Sequence, residues 1–96
     1  VNNIFLAEKN KIIIGVCIVQ IWKNYIHLHS LIVDKKYRNQ GIGSKLLNFV
    51  EDLASNNKKY CIELIVNEKN KSKISIMKKR GYNKGDKFVF FSKRLK

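Results

Sequence analysis

"YIHLHSLIVDKKYRNQGIGSKLLNFV" runs from Tyr25 to Val50, and the fold turns on how it is read. Residues 25–33 are β-branched, aromatic or apolar with polar interruptions, which predicts a strand. "DKKYRNQ" (34–40) is a polar, basic turn. From Ile42 the period changes. Ile42, Leu46, Leu47, Val50, Leu53 and Ala54 fall on one side of a helix, with Lys45, Asn48, Glu51, Asp52 and Ser55 on the other. The stretch is therefore a strand, a glycine turn and a helix over 41–56.

Working outward, residues 3–8 and 11–22 are apolar or β-branched runs separated by "EKNK", which predicts a hairpin. "WKN" (22–24) leads into the 25–33 strand, so these three strands should be antiparallel neighbours. Downstream, "YCIELIV" (60–66) has the near-continuous apolar content of a buried strand in a parallel pair. A second helix is expected over 70–80, with Asn70 as its N-cap, "KKR" at the negative end of its dipole and Gly81 as its stop. "KFVFFS" (87–92) is expected to be a last strand. The order is β-β-β-α-β-α-β. The fold class is α/β with a mixed sheet, in one domain spanning 1–96.

Composition bounds the function. The chain has 96 residues, 45% of them hydrophobic, which suits one globular core. No apolar run approaches the ~20 residues of a membrane span, and no signal peptide is seen, so no membrane partner and a cytoplasmic location are expected. The net charge is +13, but the basic residues are scattered rather than clustered, so nucleic acid is not the expected partner. "KFVFFSKRLK" offers only a faint interleaving of aromatic and basic residues. Cys17 and Cys61 both lie in apolar runs and read as buried free thiols in a reducing compartment. Without Cys/His ligand spacing, no metal site is expected.

"RNQGIG" (38–43) sits between a strand and a helix. A helix N-terminus exposes unpaired amides and partial positive charge, which suits a phosphate. Gly41 and Gly43 permit close approach of a ligand to the backbone, and Arg38 and Lys45 add charge. The stretch is neither a Walker loop nor the dinucleotide fingerprint. Two glycines alone are equally consistent with a tight turn that lets the helix pack on the sheet.

The surrounding residues decide between these readings. "V-D-x-x-Y-R-x-x-G-x-G" followed by "x-x-L-L" resembles the acyl-CoA-binding motif of the GNAT superfamily of N-acetyltransferases. Arg38, Gly41 and Gly43 match its core. Downstream, Asn70, Gly81 and Tyr82 fit the family's second, more degenerate element. The resemblance covers residues 3 to 95. It lacks the family's usual first strand and first two helices, which implies residues upstream of Val1. It implies acetyl-CoA as acyl donor, held by Leu31, Ile32, Val33, Arg38, Asn39, Gln40, Gly41, Ile42, Gly43, Ser44, Lys45 and Asn70.

His27 and His29 are two apart on a strand and point to one face. Without a bulge, Tyr25, Leu31 and Val33 share that face; a bulge changes the assignment. Acetyl transfer needs a neutral amine, whereas an alkylamine is mostly protonated at neutral pH. Histidine titrates in the useful range. The string "HLHSLIVDKKYRNQGIGSKLL" resembles arylalkylamine N-acetyltransferases, which carry His-x-His at this offset from the glycine loop. On that resemblance His27 and His29 are the catalytic candidates. The implied function is an acetyl-CoA-dependent N-acetyltransferase in which a primary amine, on a small molecule or a protein, attacks directly in a ternary complex. A homodimer is compatible with this reading. Four residues before Gly81, Met77 stands where many family members have a Tyr that protonates the leaving thiolate. Met has no proton to give. The rival reading is therefore a catalytically weak or inactive acyl-CoA-binding regulatory module.

Overall fold

The computed structural model describes residues 2–85 and 89–95. They form two compact units, one ending at Ile65 and the other beginning at Val66.

The first unit is a four-stranded sheet with one helix. Its strands are β1 (Asn2–Lys9), β2 (Ile12–Ile21), β3 (Tyr25–Val33) and β4 (Cys61–Leu64), in spatial order β1-β2-β3-β4. β1–β2 and β2–β3 are antiparallel, and β3–β4 is parallel. The sheet is mixed, as the hairpin spacing and the strand–helix–strand unit predict. The β1–β2 connection is two residues long. Asn10 and Lys11 both have positive φ (53° and 66°), the geometry of a type I′ turn that matches strand twist.

The helix α1 (Ile42–Asn56) joins β3 to β4 and covers one face of the sheet. Phe5 of β1 meets Phe49 of α1 edge-on, with ring centroids 4.8 Å apart. Gly15 of β2 lies directly beneath Ile42 and Leu46. Cys17, Val19, Ile26 and Leu28 of the sheet and Leu46, Leu47, Val50 and Ala54 of the helix are buried. The helical side predicted from spacing is thus the buried one. α1 ends with Lys58 at φ 56°, where the amide of Lys59 donates to Ala54 O at 2.9 Å and that of Lys58 to Ser55 O at 3.1 Å. A left-handed residue closes this C-terminal motif, and lysine holds it at a steric cost. Lys58→Gly should raise stability by about 0.5–1 kcal/mol, read as a higher urea midpoint with unchanged slope.

β4 departs from expectation. It is shorter than 60–66 and is the last strand of the sheet among the described residues, with Tyr60 87% and Ile65 86% exposed. Its apolar content reflects alternation: Ile62 and Leu64 are half-buried, while Cys61 and Glu63 are exposed. Cys61 is therefore not core filling, and only Cys17 is a buried thiol. Burial pushes the Cys17 thiol up from 9.0 to about 11. Because the folded state then keeps its proton while the unfolded state loses it, stability should fall as pH rises above about 9, by at most ~1.4 kcal/mol per unit. Urea titrations at pH 8 and pH 10 check this, since Cys17→Ala should flatten the difference. An aromatic disulfide reagent at pH 8 should meet one thiol in the native chain and two in denaturant.

The second unit contains α2 (Lys71–Lys79). Asn70 caps it as predicted, its side chain accepting from the Lys73 amide at 3.1 Å. Gly81 (φ 89°) stops it, with Gly81 N–H bonded to Lys78 O and Tyr82 N–H to Met77 O. Met77 is the buried residue of this helix. Of the strand expected at 87–92, residues 87 and 88 lie outside the described residues. Residues 89–92 carry no regular secondary structure, and Val89, Phe90 and Phe91 are exposed.

Candidate active site

The site is built on β3. The register between β2 and β3 runs Gly15↔Val33, Val16↔Ile32, Cys17↔Leu31 and Ile18↔Ser30, then jumps to Val19↔Leu28. His29 is the extra residue of a β-bulge. The bulge changes the facing expected for an unbroken strand. Leu31 and Val33 turn toward α1, where their side chains lie 3.9 and 3.8 Å from the position of a Cβ on Gly43. They do not share the face of His27. Ile32 points the other way and is 58% exposed. A single inserted residue thus lets one strand support the helix start at one end and present imidazoles on the opposite face at the other.

His27 pairs in register with Gln20 of β2 and Glu63 of β4. Its Nδ1 lies 3.3 Å from Glu63 Oε1. The His29 ring stays near that of His27, with centroids 6.4 Å apart and planes at 39°. His27 is half-buried and His29 exposed. The structure therefore brings the two histidines together, one sheltered and one open to solvent. Trp22 stacks against Tyr25 at the near end of the strand, with centroids 6.2 Å apart. Glu63 escaped the sequence reading. Its signal was a lone acid in an apolar strand, but its partner depends on the β3–β4 register, which local pattern does not contain.

At the far end, the chain leaves β3 through Asp34, whose carboxylate accepts from the Lys36 amide at 2.9 Å and starts a short 3-10 turn at Lys35–Tyr37. Arg38 Nε donates to Val33 O at 3.1 Å and ties the loop to the strand. Asn39 and Gly41 both have positive φ, 64° and 80°. Gln40 is exposed beside them. Gly41 occupies the N-cap of α1, and no side chain caps the helix. The first helical bond is from Lys45 N–H to Gly41 O at 3.0 Å. The amides of Ile42, Gly43 and Ser44 precede it and lie outside the helical ladder. A Cβ on Gly41 would meet nothing within 4 Å, so that side of the loop is open. Lys45 is exposed one turn along. The expected loop residues thus converge on one uncapped helix start. Asn70 belongs to the other unit, where its side-chain oxygen is engaged as a cap.

β4 pairs with β3 only from Tyr25 to Leu28. Beyond Leu28, β3 has no strand on that side among the described residues. An extended, amide-bearing ligand ending in phosphate fits this combination of bare strand edge and uncapped helix amides. Among the described residues, no group of three or more His, Cys, Asp or Glu is placed to hold a metal ion. No helix there is long and apolar enough to cross a membrane.

Comparison with known proteins identifies the family. Residues 2–82 match the Acetyltransferase (GNAT) family. Because the match spans most of the chain, the protein belongs to the GNAT acetyltransferase family, a family of acetyl-transferring enzymes. Among solved structures, a GNAT family acetyltransferase from Elizabethkingia anophelis with acetyl-CoA bound superposes with a TM-score of 0.82 at 26% identity. The match covers 88% of this chain and 56% of that one. An aminoglycoside acetyltransferase from an uncultured soil metagenomic sample, in complex with sisomicin, gives 0.82 at 17% identity, covering 99% and 66%. The aminoglycoside acetyltransferase AAC(6')-Iy, in complex with a CoA-linked bisubstrate analogue, gives 0.81 at 16%, covering 98% and 70%. The chain thus spans between about half and three-quarters of the length of these structures. No curated protein sequence matches the chain.

Proposed function

We propose that the chain, as one functional domain over 1–96, is an N-acetyltransferase that uses acetyl-CoA and a primary amine in a ternary complex, without an acyl-enzyme. The observation that carries this reading is the bulged β3 strand. It presents His27 and His29 on one face and leads into an uncapped, glycine-opened helix start. Acetyl-CoA bound to the similar GNAT family acetyltransferase from Elizabethkingia anophelis supports the choice of donor.

Bound acetyl-CoA would supply an activated acetyl thioester. The amides of Ile42, Gly43 and Ser44, with Arg38 and Lys45, would hold its phosphates. The edge of β3 at Leu31–Val33, paired by no strand on that side among the described residues, would hold the extended arm by backbone pairing. His27 would take the proton released by the attacking amine, and exposed His29 would pass it to solvent. Cys17 is buried and protonated, and no step needs a thiol nucleophile. The His-x-His resemblance and the Trp22–Tyr25 stack favour a small aromatic amine as acceptor. The aminoglycoside-acting relatives keep polyamino sugars on the panel.

Calorimetry with acetyl-CoA, followed by thiol release in the presence of an amine panel, tests the reading. Binding plus amine-dependent thiol release is expected, and absence of binding overturns it. Met77 favours a second reading, because methionine offers no proton to a leaving thiolate. A regulatory acyl-CoA-binding module would show binding heat without thiol release for any amine.

A further inference from the structure

We infer that Glu63 is a positioning residue that fixes the tautomer and orientation of His27. The inference rests on the acetyl-transfer reading for its consequence, but its geometry stands alone. Glu63 Oε1 is 3.3 Å from Nδ1 of His27, and the two residues are register partners across the parallel β3–β4 pair. Strand pairing holds the two backbones at a fixed separation, so the two side chains start from neighbouring positions on one face of the sheet. On the other flank, the register partner of His27 is Gln20 of β2, and Tyr25 and His29 adjoin it along its own strand. Glu63 is the carboxylate paired with it.

The chemistry follows from what each nitrogen must do. An ionised carboxylate only accepts hydrogen bonds, so its neighbour Nδ1 is favoured as N–H. The Nε2 lone pair is then available to take a proton from the amine. Once Nε2 is protonated, the imidazolium faces a negative partner, and the carboxylate itself need not gain a proton. The proton leaves Nε2 for water or His29, which restores the starting tautomer. No oxidant, metal or covalent intermediate enters this cycle.

The test uses the full chain and two variants. Glu63→Val keeps a good strand former at an edge position but removes the acceptor. Glu63→Gln keeps an acceptor oxygen without the charge. Long-range ¹H–¹⁵N spectra of the ligand-free protein at pH 8 report which His27 nitrogen carries the proton. The expected result is Nδ1–H in the parent chain and in Glu63→Gln, with a shift toward Nε2–H in Glu63→Val. In the acetyl-transfer assay, Glu63→Val should lower kcat roughly 10–100-fold with KM for acetyl-CoA unchanged, and Glu63→Gln should recover most of that loss. An unchanged His27 tautomer in Glu63→Val overturns the inference, whatever happens to kcat. A parent chain without transferase activity would overturn the catalytic reading, while the spectra would still decide whether Glu63 sets the tautomer.

Discussion

Replacing His27 by Ala should lower kcat by about 10²–10⁴-fold and leave coenzyme A binding unchanged. The separation of the two effects is the informative part. His27 sits on the sheet face away from α1, whereas the uncapped amides of Ile42, Gly43 and Ser44 lie at the start of that helix. Removing an imidazole from the first place leaves the second intact. His27 is not part of the buried core, so its loss creates no closed cavity and the chain should unfold at nearly the parent temperature. His29→Ala should have a smaller effect, because water reaches its exposed position and can take over the proton. Calorimetry with coenzyme A and steady-state kinetics on the same preparations check both. A variant that loses binding and turnover together would show that the imidazole supports the fold or the donor rather than the amine.

The second large effect is expected at Gly15, far from the chemistry. A Cβ there would stand 3.1 Å from Leu46 Cδ1, 3.3 Å from Ile42 Cγ2 and 3.4 Å from the backbone oxygen of Ile32. Alanine is tolerable, because the end of the Leu46 side chain can give. Valine adds two further methyls against the first turns of α1, and the helix must lift from the sheet. Overpacking of this kind should cost roughly 3 kcal/mol. For a domain of this size that corresponds to a fall in Tm of about 10–20 °C. The same displacement moves the amides that follow Gly41, so Gly15→Val should also weaken coenzyme A binding at temperatures where it remains folded. Thermal unfolding and calorimetry at 15 °C measure the two losses. Equal stability of Gly15→Val and Gly15→Ala would show that α1 does not rest on this strand as described.

Much of this was legible locally. The 25–33 strand and the 42–56 helix follow from periodicity, because each buries one face against the other and must repeat accordingly. The caps at Asn70 and Gly81 were readable because their chemistry lies within a few residues. What escaped depends on partners distant in sequence. The bulge at His29 is a mismatch between two strands and leaves no mark on either alone. Glu63 acquires meaning only beside His27, and Cys61 is exposed because it alternates with Ile62 onto the open face of β4, which the strand's apolar composition conceals. The facing of Leu31 and Val33 was reversed by one inserted residue, since strand side chains alternate with period two.

The ladder that stops at Leu28 has a further consequence. A strand flank that no other strand pairs among the described residues offers main-chain donors and acceptors to another polypeptide flank, including its own copy. The protein should therefore be stickiest when empty. Light scattering at rising concentration should show self-association that acetyl-CoA suppresses, the donor acting as a plug against clumping as well as a reagent.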